Sequence, residues 1–409
     1  MYCPGNEIKS LDAQDIAQLN KDFSESDNAL GFEVSDHFVP FDQRNDIFSR
    51  AMWDDTISSK ETDAFFQSYR MEFAPKRGEG FSQKDFALRN AAWSVSDIIS
   101  NRDNDTGKRQ GFQAPITDDT PVAPDKITIE DPAQQSVEIK RLARLFGADL
   151  VGITAVDPRW HYASRVDTRD MTAAPNPLPE GITHVVVMGH AMDSALVDTY
   201  PSALAGASTG LEYSHEAAIV IQLSSYIRNL GYEAVASMND TALVVPYAIK
   251  AGLGEYGRNQ MVITSKYGPR VRFSKIFTSL PLQPDQPKPL GIHQYCSVCT
   301  VCADACPPRA LPHGPATDKP ANQSTIVGVK KWTANCEKCF GYWARLKTDC
   351  AICMRVCPFN RGDSILEKLW FRLATGNSTS RRIALWLHNS LGIRARLKPS
   401  AWWARLIKQ

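Results

Sequence analysis

The apolar residues between positions 136 and 192 change from helical to strand-like spacing. In SVEIKRLARLFGA (136–148) the apolar positions recur at helical intervals, which predicts a helix with Val137, Ile139, Leu142 and Leu145 on its apolar side. DLVGITAVD (149–157) and THVVVMGHAM (183–192) are short, nearly continuous apolar runs. Runs of this length and composition are typical of buried strands.

The same alternation continues to residue 282. SHEAAIVIQLSSYIRNLGYEAVASM (214–238) predicts a long helix that ends at Gly231 and leads into a strand. VVPYAIKAGLGEYG predicts a short helix and a glycine-rich turn. QMVITSKYGPRVRFSKIFTSLPL predicts two strands separated by a turn at Gly268-Pro269. Helices and strands that alternate in this way indicate a layered domain of the α/β (α+β) class.

The segments on either side of this domain have different patterns. Residues 1–130 are polar with scattered aromatic residues and predict an irregular cap, with disorder as the alternative. The stretch 102–126 within it is rich in turn-forming residues and predicts a long loop. The proline-rich segment LQPDQPKPLG follows Pro281 and predicts a linker into a cysteine-rich region.

Composition and charge narrow the class of protein. The chain has 409 residues, of which 43% are hydrophobic and 22% charged, and its net charge is +1. These values are typical of a soluble globular protein of two or three units, and they do not favour nucleic acid as a partner. No export signal is recognised, since the twin arginine Arg381-Arg382 lies near the C-terminus. A cytoplasmic location is expected; the alternative is an exported, membrane-associated protein whose twin-arginine signal was removed before residue 1.

Nine of the ten cysteines lie between Cys296 and Cys357, in two sets that each end in Cys-Pro. The first set has the spacing CxxCxxCxxxCP of bacterial ferredoxins, in which the fourth cysteine ligates the other cluster. The spacing therefore predicts two 4Fe–4S clusters, and zinc is disfavoured. One cluster is assigned to Cys296, Cys299, Cys302 and Cys357. The other is assigned to Cys306, Cys339, Cys350 and Cys353, with Cys336 as the alternative to Cys339.

The glycine-rich stretch AGLGEYGRNQMVIT (251–264) contains GxGxxG, but a helix is predicted before it, where a dinucleotide fingerprint requires a strand. A turn that lets the backbone approach a large flat cofactor explains the glycines better. The candidate cofactor-binding residues are Gly252, Gly254, Arg258 and Asn259.

AGLGEYGRNQMVIT, YGPRVRFSKIFTSLPL and two ferredoxin-like sets, the second beginning CFGYW, together resemble the cobalamin-dependent reductive dehalogenases. The resemblance extends from VDPRWHY (156–162) to CPFN (357–360). It implies a nitroreductase-like core that binds a base-off corrinoid (cobalamin), followed by a ferredoxin-like domain with two 4Fe–4S clusters. The DxHxxG motif of other cobalamin proteins is absent from the sequence, which agrees with base-off binding.

The resemblance also implies catalytic residues. Tyr213 matches the proton-donating tyrosine, Asn239 and Arg272 match a pocket asparagine and arginine, and Lys275 matches a lysine that pairs with the tyrosine in some members. Nearby cations favour the ionised form of a phenol. Arg272 and Lys275 are three residues apart, so on a regular strand they point to opposite faces, and only a bulge would bring both to one pocket.

The implied activity is cob(I)alamin-mediated reductive cleavage of a carbon–halogen bond in an organohalide, with electrons delivered through the two clusters and a proton from Tyr213. An external electron donor is expected, such as a ferredoxin, a flavodoxin or a membrane-linked reductase. The alternatives are an enzyme like epoxyqueuosine reductase, which modifies tRNA, and a non-catalytic electron carrier or corrinoid activator.

The expected domains are a cap (1–130), a corrinoid-binding core (131–285), a ferredoxin-like domain (286–365) and a helical tail (366–409). The tail contains tryptophans among basic residues. Packing over the cluster domain is expected for this tail, and peripheral membrane contact through 381–409 is the alternative.

Overall fold

The N-terminal region is more regular than the predicted cap. A computed structural model describes residues 11–70, 78–100, 120–167, 171–287, 289–362, 364–391 and 395–406. The elements before residue 100 are α1 (Ala13–Asp22), α2 (Ser24–Leu30), β1 (Val34–Val39), α3 (Ile47–Trp53), α4 (Lys60–Gln67) and α5 (Gln83–Ile99). The prediction of an irregular cap was therefore wrong for these residues. Most of the predicted loop at 102–126 lies outside the described residues.

The central region contains the predicted helices and strands. Its elements are α6 (Pro132–Phe146), β2 (Leu150–Ala155), β3 (Arg165–Asp167), β4 (Thr172–Ala174), β5 (His184–Ala191), α7 (Ser194–Val197), α8 (Ala203–Asn229), β6 (Ala234–Ser237), α9 (Val244–Lys250), β7 (Glu255–Tyr256), β8 (Val262–Ile263) and β9 (Val271–Thr278). An antiparallel sheet in the order β2-β5-β9-β6 forms its centre. The α/β (α+β) class is confirmed.

The sheet separates two hydrophobic cores, because successive side chains on a strand point to opposite faces. On β9, Ile276 packs in the core that includes α6 and α8, whereas Phe273 and Phe277 pack in the core that includes α9. Helix α6 begins at Pro132, four residues before the stretch that predicted it, and its apolar stripe differs from the prediction. Val137 and Leu145 are 61% and 75% exposed, and Ile139 and Ala143 are the fully buried residues.

The C-terminal region carries the cysteines. Its elements are α10 (Ile292–Cys296), α11 (Val301–Asp304), β10 (Val327–Val329), α12 (Cys336–Leu346), α13 (Ile352–Arg355), α14 (Ile365–Ala374), α15 (Ser378–Ser390) and α16 (Pro399–Leu406). Strand β10 pairs with β1, so the N-terminal region and the cysteine-rich region share a small sheet. Among the described helices, none combines the length and apolar character that crossing a bilayer requires. The domain boundaries stay a prediction.

Candidate functional site

A cavity of about 700 Å³ lies where the three regions meet. This volume is within the range of pockets that hold small molecules and cofactors. Side chains from the N-terminal helices, from the central domain and from the cysteine-rich region line it, among them Phe41, Asp46, Phe48, Tyr69, Trp93, Tyr162, Tyr213, Asn239, Arg272, Cys336, Asp349 and Met354. Three of the four predicted catalytic residues, Tyr213, Asn239 and Arg272, therefore lie together on its wall.

Helix α8 places Tyr213 against the wall of the cavity. The Tyr213 ring stacks on Trp93 of α5, with 4.6 Å between ring centroids and 28° between ring planes. A Cβ on Gly210, one turn earlier in α8, would come within 2.5 Å of the Trp93 ring. The absence of a side chain at Gly210 is therefore what lets Trp93 lie flat against the helix and fix the plane of the tyrosine ring.

A hydrogen bond fixes the Tyr213 hydroxyl. Asn239 Nδ2 donates to Tyr213 Oη at 2.5 Å, so the phenol oxygen is the acceptor. A donor at this oxygen stabilises the phenolate more than the neutral phenol. The backbone carbonyl of Asn239 accepts a hydrogen bond from the Tyr162 hydroxyl at 3.0 Å, which ties the asparagine to a second residue of the cavity wall.

Arg272 supplies a cation next to the tyrosine. Its guanidinium carbon lies 5.6 Å from the centroid of the Tyr213 ring. Burial by itself would lower the pKa of Arg272, but Tyr213, Glu216, Tyr200 and Asp349 raise the pKa above its ordinary value. Arg272 thus remains charged at the cavity wall and favours a developing negative charge on a neighbouring group.

Lys275 does not line the cavity. It is fully buried on the face of β9 opposite to Arg272, as the alternation of a regular strand requires. Its Nζ donates to the carbonyls of Met238 (2.6 Å) and Asp240 (3.1 Å), which flank Asn239. Lys275 thus holds the loop that carries Asn239. A direct role of Lys275 in catalysis stays a prediction.

The four predicted cofactor-binding residues are absent from the cavity wall. A Cβ on Gly254 would meet the Ile263 carbonyl oxygen at 2.5 Å, and Gly252, at φ +74°, faces Pro287. The close approach that these glycines permit is thus to other segments of the chain. Their role in binding a flat cofactor stays a prediction. Asn259 is buried, and its Nδ2 has no hydrogen-bond partner in the structure.

Arg258 holds the first cysteine loop in place. The residue is 2% exposed, and its guanidinium donates to the carbonyls of Cys296 and Cys299 at 2.9 Å and 2.8 Å. It also donates to the carbonyls of residues 312–314. Arg258 therefore links the glycine-rich turn to the cysteine-rich region, a role that spacing alone did not indicate.

The cysteines act on one another mainly in two groups, although Cys302 also adds to the rise that burial causes in the pKa of Cys353. Burial raises the pKa of the Cys357 thiol, and Cys296, Cys302 and Cys299 raise it further. Burial likewise raises the pKa of Cys339, with Cys350, Cys336 and Cys306 adding to the effect. All nine described cysteines are free thiols. Within the described part of the chain, no three His, Cys, Asp or Glu side chains form a site for a single metal ion.

Cys336 differs from the cysteines around it. It lines the cavity, and its Sγ donates weakly to the carbonyls of Ser324 and Ala334. Burial and then Asp46 raise the pKa of Cys336 to about 11. Its environment is therefore that of the cavity wall, whereas Cys339, one turn later in α12, faces the second cysteine set.

The residues fit the implied cofactors on two counts. Burial raises the pKa of Cys299 to about 11 and of Cys350 to about 12, so thiolates at these positions require a compensating positive charge, which cluster iron supplies. The cavity reaches both Tyr213 and the second cysteine set, whose neighbour Asp349 is on its wall. It therefore offers a place for a macrocycle between the cysteines and the tyrosine.

Sequence reasoning missed Trp93 and Asp349. The Asp349 carboxylate accepts hydrogen bonds from the Tyr200 hydroxyl at 2.5 Å and the Thr209 hydroxyl at 2.9 Å. Trp93 was missed because the N-terminal region was interpreted as irregular. A signal for its helix was present, since Ser82 and Asp85 form a capping box at the start of α5. No local pattern indicated that Asp349 would face the cavity.

Comparisons with known proteins find reductive dehalogenases among the relatives of this chain. A tetrachloroethene reductive dehalogenase of Desulfitobacterium hafniense is 31% identical over 347 residues, which are 69% of this chain and 63% of that protein. The tetrachloroethene reductive dehalogenase of Sulfurospirillum multivorans is 32% identical over 57% of this chain and 52% of its own length. The chain thus spans only part of the length of these relatives. No protein-family model matches the chain.

Solved structures show the same fold. The catabolic reductive dehalogenase NpRdhA, in complex with 3-bromo-4-hydroxybenzoic acid, matches with a TM-score of 0.67 at 22% identity, over 89% of this chain and 48% of that chain.

Among the sequence relatives there is also an epoxyqueuosine reductase of Leadbetterella byssophila, which is 28% identical over 55% of this chain and 80% of its own length. The similarity to the dehalogenases therefore covers more of this chain.

Proposed function

Because the chain belongs to the reductive dehalogenase family, we propose that it reductively cleaves a carbon–halogen bond of an organohalide. The overall reaction takes up two electrons and one proton, replaces the carbon–halogen bond by a carbon–hydrogen bond and releases a halide ion. The observation that carries the proposal is the convergence of Tyr213, Asn239 and Arg272 on one wall of the cavity, which also reaches the second cysteine set. This arrangement brings a proton donor and a cation to the same space as an electron path.

The cofactors that support this reaction are a base-off corrinoid and two 4Fe–4S clusters. When bound, the corrinoid supplies the bond-breaking chemistry, and the clusters supply single electrons. We assign the clusters to the two cysteine groups, with Cys339 rather than Cys336 as the fourth ligand of the second cluster. The effects of Cys350 and Cys306, which add to burial in raising the pKa of Cys339, and the carbonyl contacts of Cys336 support this choice.

Tyr213 is the proton donor in this proposal. Its ring is held by Trp93 and its oxygen by Asn239, so the hydroxyl has a fixed position at the cavity wall. A general acid contributes most when it is fixed within hydrogen-bond reach of the atom that it protonates. The hydrogen bond from Asn239 stabilises the tyrosinate that remains after the proton has left.

Arg272 stabilises the negative charges that appear during the reaction. These charges are the tyrosinate oxygen and the departing halide, and a cation in a site of low dielectric acts strongly on both. Phe48, Trp93 and Tyr162 contribute aromatic walls to the same space. The protein thus supplies orientation and charge, and a separate one-electron donor supplies the electrons.

The experiment that tests this function is anaerobic turnover by protein loaded with iron, sulfide and cobalamin, with reduced methyl viologen as donor. The substrate panel contains chlorinated ethenes and halogenated phenols, and halide release is measured for each. Halide release that requires all components supports the proposal. Full loading without halide release from any member of the panel contradicts it, and conversion of epoxyqueuosine in a tRNA stem loop would identify the alternative enzyme.

A further inference from the structure

Exposed hydrophobic side chains are concentrated in one helical hairpin. Of the thirteen large hydrophobic residues that are exposed among the described residues, six lie between 365 and 391. They are Ile365, Leu366, Leu369, Ile383, Trp386 and Leu391. Leu366 is 78% exposed and Trp386 is 65% exposed. Single exposed apolar residues are ordinary, but a cluster of this kind marks an interaction surface.

The six residues lie on the outer side of α14 and α15. The two helices pack against one another and, through Trp370, Phe371, Ala374 and Ala384, on the core that contains Cys296, Cys299 and Cys357. The exposed side chains stand on the opposite helix faces, away from this core. We call these six residues the hairpin surface. Both helices of the hairpin thus carry outward-facing apolar side chains, and Leu391 directly follows α15.

Positive charge surrounds the hairpin surface. Between Ser364 and Leu391 there are four cations, Lys368, Arg372, Arg381 and Arg382, and one carboxylate, Glu367. The side chains of Lys368, Arg372 and Arg382 are exposed. Apolar residues with an exposed tryptophan, bordered by lysine and arginine, are the combination that binds the surface of an anionic bilayer.

From these observations we propose that the hairpin surface is a peripheral docking site for an anionic lipid bilayer. This assignment moves the membrane contact away from the extreme C-terminus. Trp402 and Trp403 pack near Leu88 and Leu211, and Trp403 Nε1 donates to Asp85 at 2.9 Å. Those tryptophans are therefore committed to α5 and α8, so the expected packing of the tail over the cluster domain was also wrong for this segment.

The proposed contact has a consequence for electron supply. The hairpin packs directly on the core that includes Cys296 and Cys299 of the first set and Cys357 of the second, so docking holds these three cysteines close to the bilayer. Tyr295, Phe359 and Trp370 form a group of ring contacts at 5.1–5.8 Å between the cysteine loops and α14. An electron donor at the membrane would thereby meet the side of the protein where the first set lies.

Flotation with lipid vesicles tests the proposal without any need for turnover, so its failure is distinguishable from failure of the dehalogenase assignment. The full chain, loaded with iron and sulfide, is mixed with vesicles of phosphatidylcholine alone or of phosphatidylcholine with phosphatidylglycerol. We expect flotation with the anionic vesicles, weakened by salt. Each lysine or arginine near an anionic surface changes the partition coefficient about fivefold, so a K368Q/R372Q/R382Q variant binds about 100-fold more weakly.

Leu366→Glu combined with Leu369→Glu removes apolar residues from the hairpin surface, and Val137→Glu combined with Leu145→Glu on α6 is the matched control. All four positions are exposed, so folding is preserved, which circular dichroism and iron content verify. We expect the first pair to abolish flotation and the second to leave it unchanged. Equal effects of the two pairs, or no flotation of the unaltered chain, would overturn the proposal. If the unaltered chain is a dimer that binds no vesicles, and the first pair of substitutions makes it a monomer, the hairpin surface is instead a contact between two copies of the chain.

Discussion

Lys275 allows a quantitative test of the contacts that hold the Asn239 loop in place. The side chain is fully buried in the central strand β9, where its Nζ donates to the two carbonyls that flank Asn239. Burial lowers the pKa of Lys275 from 10.5 to about 8, although Asp240 and Glu216 oppose this effect. The folded protein therefore releases this proton near pH 8, whereas the unfolded chain keeps it until about pH 10.5.

The sign of the pH dependence follows from these two values. Between them the unfolded state binds more protons, so the Lys275 contribution to the free energy of unfolding rises with pH. Below pH 8 the whole cost of burying the charge is present. The difference between the two pKa values corresponds to roughly 3 kcal/mol. Lys275→Met removes this titration, so the stability of the unaltered protein relative to the variant should increase by about 3 kcal/mol across this range.

Urea denaturation of both proteins at several pH values measures this difference. Lys60→Met, at an exposed position on α4, is the control, and its stability difference should not depend on pH. Because the Asn239 loop loses its support, Lys275→Met should also lower turnover about 10- to 100-fold at unchanged cofactor content. A stability difference that is constant between pH 8 and 10.5 would refute the assignment of Lys275 as a buried charge that holds the loop.

Three other substitutions test the remaining parts of the site. Arg272→Lys should lower the rate of halide release about 10- to 1,000-fold at unchanged cofactor content, and an unaltered rate would exclude its role in charge stabilisation. Gly210→Ala should displace Trp93, lower stability by about 1–3 kcal/mol in denaturant titrations and reduce turnover, whereas normal values of both would show that the contact is not tight. Arg258→Met leaves several buried carbonyls without their donor, so it should cost at least about 3 kcal/mol and reduce iron content; iron retention at normal stability would argue against its structural role.

The sequence was most informative where the relevant pattern is local. The runs that predict β2, β5 and β9 carry enough apolar residues to identify buried strands, and the structure contains all three. The alternation along β9 also showed that Arg272 and Lys275 would point to opposite faces unless a bulge intervened. The spacing of the cysteines is equally local, and its interpretation as two clusters stays a prediction.

The sequence was least informative where the deciding contact is with a distant segment. The glycines at 252 and 254 do require a tight backbone, but their neighbours are Pro287 and Ile263, and the motif itself does not identify these partners. Trp93 reaches Tyr213 although 120 residues separate them in the sequence. The exposure of Val137 has the same origin, because packing against α8 and the sheet selects which side of α6 is buried.

The most direct test of the central claim compares the unaltered chain with a Tyr213→Phe variant, both loaded anaerobically to equal iron and cobalamin content. Halide release and the reduction of both cofactors are followed in the same samples. We predict that the variant binds and reduces its cofactors normally while halide release falls about 100- to 10,000-fold, because only the proton donor is missing. Equal halide release by the two proteins would contradict the assignment of the Tyr213 end of the cavity as the reaction site.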